Sequence, residues 1–153
     1  MAIEDSYNFR RVNALVTTSG VVGPDRLKDL GPERYDVVVN LLPDESEYAV
    51  ENERQVVEGQ GIKYVHIPVD FKNPTLAGYD RFVSALDWAK ERKVHIHCAA
   101  NYRVSAFYAL YAESRQIWSR AEAQEFIRDL WQPEERPGWP QFIARVRARD
   151  IEA

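Results

Sequence analysis

The sequence predicts an α/β fold, with a mainly parallel central sheet flanked by helices. Three observations predict it. Short apolar runs rich in β-branched residues alternate with longer amphipathic segments. The runs stop at Pro, Gly or Asp, as strands buried on both faces do. No repeat, low-complexity tract or linker divides the 153 residues, so one domain spanning 1–153 around one core is expected.

In chain order, residues 13–18 (NALVTT) read as a first strand closed by Ser19-Gly20. The apolar run at 37–42 reads as a buried strand stopping at Pro43-Asp44. Residues 45–58 read as an acidic amphipathic helix ended by Gly59 and Gly61, with Asp44 and Glu45 expected to cap it. A strand at 62–67 is broken by Pro68. The loop DFKNPT leads into a helix at about 75–91. Residues 94–97 (VHIH) form the next strand, followed by a helix at about 103–115. Ser119 with Glu122 makes a capping box for a helix at about 120–131. QPEERPGWP is a loop, and a last helix runs from Trp139 to about Arg149. In such sheets ligands bind outside the carboxyl ends of the strands. Three loops should gather there: Pro43 to Glu45, Asp70 to Thr75, and Cys98 to Arg103.

A formal net charge of −4 argues against broad electrostatic binding to nucleic acid or an anionic membrane. A small local anion site is independent of that total. The N-terminal MAIEDSYNFRRV has no basic stretch followed by an apolar one, and no apolar run is long enough to span a bilayer. One cysteine forms no internal disulfide, so a cytoplasmic protein with a free thiol is expected. The sequence is silent on oligomeric state.

That cysteine, Cys98, ends a strand and precedes a helix. A helix N-terminus presents unpaired N–H groups and a partial positive charge, which favour a thiolate and attract phosphate. The amides of Ala99, Ala100, Asn101 and Tyr102 would surround the anion. The Arg103 guanidinium can hold two phosphoryl oxygens. Such a thiolate is suited to in-line attack on phosphorus, giving a cysteinyl-phosphate that water later hydrolyses. Asp70, at the carboxyl end of a strand on the same rim, is the candidate general acid. His97 is expected to point to the opposite side of its strand and to support the loop through hydrogen bonds. His66, His95 and His97 lack a metal-ligand spacing, so no metal or cofactor is expected. The aromatics Trp88, Phe107, Tyr108, Tyr111, Trp118 and Trp131 read as packing. Arg145, Arg147 and Arg149 read as a solvated helix face.

The stretch VHIHCAANYRVSAF resembles the loop of the cysteine-based tyrosine and dual-specificity phosphatases, and TSG and NLLPDE are similar to segments of small bacterial members. The likeness covers roughly residues 10–145 and implies a dual-specificity-phosphatase-like fold. It also implies that IPVDFKNPT carries the general acid, Asp70. The family signature has five residues between cysteine and arginine; here there are four. Either the loop is one residue short, or only the arginine has moved. Ser105 favours the second alternative. It stands seven places after Cys98, where the family keeps the hydroxyl that assists the departing thiolate. Asn101 then replaces the signature glycine, as the residue most tolerant of the left-handed conformation after glycine. Val104 takes the arginine's place, and a shift of one residue turns a helical side chain by about 100°.

Three functions follow as expectations. The first is a phosphomonoester hydrolase with a cysteinyl-phosphate intermediate, weakened by the displaced arginine. The second is a non-catalytic module binding phosphate or a phosphoprotein. The third is thiol chemistry, a sulfurtransferase of the rhodanese kind or a peroxide-sensing thiolate; the lack of a resolving cysteine speaks against a disulfide switch within one chain.

Overall fold

The computed structural model describes residues 2–152. Five strands form one sheet: β1 (Arg10–Arg11), β2 (Val16–Ser19), β3 (Val37–Asn40), β4 (Lys63–His66) and β5 (Val94–His97), in the spatial order β1-β2-β5-β3-β4. β1 runs antiparallel to β2, and the remaining pairings are parallel. β5 is central. Its last residue, His97, lies opposite Ser19 on one side and Asn40 on the other, so three strands end level beneath the Cys98 loop.

The helices are α1 (Pro24–Leu27), α2 (Glu53–Glu58), α3 (Leu76–Trp88), α4 (Tyr102–Ser114), α5 (Arg120–Arg128) and α6 (Trp139–Asp150). Strand alternation sorts the core into two layers. Val37, Val39, Ile96 and Cys98 pack with α3, α4 and α6, around Phe82, Phe107, Trp139 and Phe142. Val38 packs on the other face with Leu27, Val57 and Tyr64, from α1, α2 and β4. α4 is buried almost all round from Val104 to Glu113, as a helix between the sheet and α5 and α6 must be.

Most expected elements are present, including the Ser119–Glu122 capping box. The helix expected at 45–58 is a correction. Only Glu53–Glu58 is helical, and residues 43–52 form turns. None of residues 43–52 is buried, so there is no apolar face to hold a helix there. Asp44 and Glu45 therefore cap nothing. The reading of the basic cluster also changes, because Arg147 bonds the buried carboxylate of Glu113 at 3.0 Å instead of facing solvent. No helix among the described residues is long and apolar enough to cross a membrane.

Candidate active site

The site is built outward from β5. The Cys98 amide donates to the Ser19 carbonyl at 3.3 Å, continuing the β2–β5 ladder by one residue. From Ala99 the chain leaves the sheet. Asn101 takes the left-handed conformation (φ 69°, ψ 10°), and α4 starts at Tyr102. Among the described residues, the amides of Ala99 to Val104 have no protein acceptor; the first amide that does is that of Ser105, to Asn101 O at 2.9 Å.

The loop is tied down from one side. Val21 N donates to Ala99 O at 2.9 Å, and Asn8 Nδ2 to Ala100 O at 3.0 Å. A trans peptide directs its C=O and N–H oppositely, so these ties turn the amides of Ala100 and Asn101 to the other side. Asn101 Nδ2 donates to Asn8 O and to Thr18 Oγ1, each at 2.9 Å. Its side chain is thus a brace, and only its amide is offered to a ligand. Gly20 passes so close that a Cβ there would overlap the Ala99 carbonyl and come within 2.9 Å of Ala100 Cα. The glycine of TSG is required by this approach.

On the amide side is a cavity of about 160 Å³ lined by Phe71, Cys98, Ala99, Ala100, Tyr102 and Arg103. Cys98 has no exposed surface, so it lies at the inner end and a ligand must pass the others to reach it. Arg103 is among the residues lining this cavity despite its displaced position. Its Cζ lies 5.3 Å from the Phe71 ring centroid, a cation–π seat, and its Nε is buried without a partner. Arg103 and Phe71 also line an adjoining cavity of about 620 Å³ that holds Glu45, Asp70 and Lys72.

Asp70 therefore sits one cavity away from the sulfur. It is exposed, and its Oδ1 accepts the Lys72 amide at 2.9 Å. Ser105 is buried. Its hydroxyl donates to Tyr102 O and accepts from Trp131 Nε1, each at 3.0 Å, and no hydrogen bond joins it to Cys98. Tyr102 both lines the cavity and stacks on Trp131, at 5.0 Å between centroids and 5° between planes. Trp131 is thus a support of the site as well as packing.

His97 faces away from Cys98, as alternation requires. Its Nε2 meets the buried Glu53 Oε2 at 2.6 Å, on the α2 side of the sheet. His95 bonds Thr17 Oγ1 and Ser19 Oγ, each at 2.8 Å, and burial pushes its pKa well below the usual histidine range, helped by His97 nearby. His66 Nε2 meets Leu42 O. The three histidines are thus engaged separately within the protein.

One wall of the site and one residue packed against it were not legible in the sequence. Phe71 walls both cavities. Arg136, in the loop before α6, has its Cζ 6.0 Å from the Phe71 centroid and 6.0 Å from that of Tyr102. That loop docks on the Asp70 loop: Trp139 Nε1 donates to Phe71 O at 2.8 Å. At Gly138 (φ 92°) a Cβ would stand 3.2 Å from Lys72 O. The one available signal was Trp139 next to a Pro-Gly turn, a buried anchor on an otherwise polar loop.

No family model and no curated protein matches the chain. Solved structures do. "Putative phosphatase (DUF442)" from Shewanella putrefaciens CN-32 is 31% identical, with a TM-score of 0.86 over 97% of this chain and 96% of that one. The core catalytic domain of the PP-IP phosphatase SIW14 from S. cerevisiae, in complex with citrate, is 19% identical (TM-score 0.75, 96% of this chain and 90% of that one). TpbA from P. aeruginosa, in complex with pTyr, is 18% identical (TM-score 0.72, 99% and 90%). The last two share the fold, while the identity and near-complete overlap with the first show that the chain belongs to the DUF442 family.

Proposed function

We propose that this protein is a phosphomonoester hydrolase working through a cysteinyl-phosphate. The observation that carries the reading is the cavity lined by Cys98, Ala99, Ala100, Tyr102 and Arg103, at a turn whose amides from Ala99 to Val104 have no protein acceptor and beside an Arg103 Nε without a partner. In the first step the Cys98 sulfur forms a bond to phosphorus as the ester P–O bond breaks in line. The loop amides and Arg103 hold the three equatorial oxygens. Asp70 gives its proton to the leaving oxygen, which requires the 70–74 loop to carry it across from the adjoining cavity. Water then attacks phosphorus, the S–P bond breaks, and phosphate leaves with the thiolate restored. The Ser105 hydroxyl braces the Tyr102 carbonyl and reaches the sulfur only by turning from it. His97, through Glu53, fixes the strand end that presents Cys98.

The test is hydrolysis of para-nitrophenyl phosphate by metal-free protein across pH 5 to 8. We expect turnover blocked by vanadate and reduced to the buffer rate by Cys98→Ser. A wild type no faster than that variant defeats the reading. In that case the second reading stands, a phosphate-binding module without turnover. It is favoured by the position of Asp70 outside the cysteine cavity and by the engaged Ser105 hydroxyl.

A further inference from the structure

We propose that Arg136 is a second arginine of the cysteine cavity, binding the same phosphoryl dianion as Arg103. The inference rests on the phosphate reading of that cavity and adds to it a residue from a distant loop.

Both guanidinium groups sit on the Phe71 ring, Arg103 at 5.3 Å and Arg136 at 6.0 Å, and Arg136 is equally close to Tyr102. Phe71 and Tyr102 are walls of the cavity that ends at Cys98, Arg103 lines it with them, and Arg136 lies against the same two rings from outside that lining. Neither arginine has a carboxylate partner among the described residues, a property they share with Arg26, Arg34, Arg81, Arg92 and Arg145; what sets them apart is the shared Phe71 ring. Glu45 and Asp70 border the adjoining cavity, but neither is within ion-pair distance of either arginine. Two unpaired like charges on one aromatic ring repel each other, and an anion between them reverses the sign of that interaction.

The placement of Arg136 is fixed by its backbone. Its N–H donates to Pro133 O at 3.0 Å, and its carbonyl accepts from Trp139 N at 3.2 Å. Trp139 in turn holds Phe71 through its indole. The side chain is exposed and rests against Phe71 and Tyr102 while its root is pinned. A phosphomonoester dianion carries two charges, and the pair supplies one guanidinium for each. One arginine, displaced by a residue and seated on Phe71, is thereby joined by a partner on the same ring. The ligand class this selects is the dianionic phosphomonoester, over singly charged esters.

Cys98 is the only cysteine, so its alkylation reports the field in the cavity without any turnover. Iodoacetate is an anion and iodoacetamide a neutral reagent of similar size. In Arg136→Ala we expect the iodoacetate-to-iodoacetamide rate ratio to fall roughly three- to tenfold, as loss of one unit charge several ångströms away in a partly solvated site would give. Arg136→Lys should fall between. Arg145→Ala, which removes the same charge from an exposed helix position, should leave the ratio unchanged. The vanadate inhibition constant should rise about tenfold in Arg136→Ala, the loss of one charge-assisted contact. An unchanged ratio in Arg136→Ala overturns the inference, even if the wild type hydrolyses phosphate esters. Failure of both reagents to label Cys98 overturns it too, because the cavity would then be closed to anything passing Arg136. A wild type without turnover whose ratio still depends on Arg136 upholds the arginine pair and defeats the hydrolase reading alone.

Discussion

Asn101 shows how one residue both shapes the loop and holds it. The turn from β5 into α4 needs a left-handed residue, and Asn accepts that conformation at lower cost than most. Its Nδ2 then uses both hydrogens on Asn8 O and Thr18 Oγ1. Glycine at this position would keep the conformation and lose both bonds, so Asn101→Gly should cost about 1–3 kcal/mol. Asn101→Ala loses the bonds and also strains the backbone, adding about 1–2 kcal/mol. Urea unfolding should therefore rank wild type above Gly and Gly above Ala; equal midpoints for wild type and Gly would show that the side-chain bonds contribute nothing. Arg103 makes the complementary point. Its one-residue displacement turns the side chain away from the usual direction, and the Phe71 ring gives it a seat on the cavity wall all the same.

At the scale of the element, β5 divides two chemistries between its faces. Val94, Ile96 and Cys98 enter the apolar layer, while His95 and His97 enter a buried polar row with Thr17, Ser19 and Glu53. The tautomer of His95 follows from its partners. Ser19 Oγ donates its hydrogen to Gly20 O, so it accepts from His95 Nε2–H, and Nδ1 accepts from Thr17 Oγ1. The neutral ring is fully satisfied. Its folded pKa is depressed, first by burial and then by His97, so the unfolded chain binds the proton more readily. The stabilisation is fully present above the unfolded value near 6.5 and is lost as pH falls below it, at about 1.4 kcal/mol per pH unit for this one group. Urea midpoints measured from pH 7.5 down to roughly 5, above the range where carboxylates protonate, should fall in wild type. The fall should be flatter in His95→Asn; parallel slopes would show that His95 is not the group. The strand itself was legible from sequence because a short β-branched run between turn residues has one sensible structure. The Ser119–Glu122 helix was legible because its cap is written locally. Residues 45–52 were misread because acidic, helix-compatible composition is not a buried face. Phe71 and Arg136 were unreadable for a different reason: 65 positions separate them, and tertiary docking, with Trp139 on the Phe71 carbonyl and ring and Gly138 against Lys72, brings them together. Cys98, Arg103 and the amides lie in one short stretch and could be read as a unit.

At the scale of the whole molecule, the site is a meeting of loops that share little else. Gly20 packs against the cysteine loop, Phe71 walls its cavity, and Arg136, from beyond α5, rests on the rings of Phe71 and Tyr102. An anion bound there would bridge these loops, and would do so only in the folded state. Binding to the folded state alone stabilises by RT ln(1 + [L]/Kd). For a Kd on the order of 1 mM, roughly 10 mM phosphate contributes about 1.4 kcal/mol, which for a domain of this size raises Tm by about 3–6 °C. Sodium chloride at equal ionic strength should give much less, because it screens surface charges without filling the amide ring. Arg103→Ala should lose most of the phosphate-specific rise, while Arg145→Ala should keep it. The effect requires no turnover, so it separates anion binding from hydrolysis. A phosphate shift no larger than the chloride shift would mean that the free amides and unpaired arginines do not converge on a common ligand, and the site would lose its physical basis.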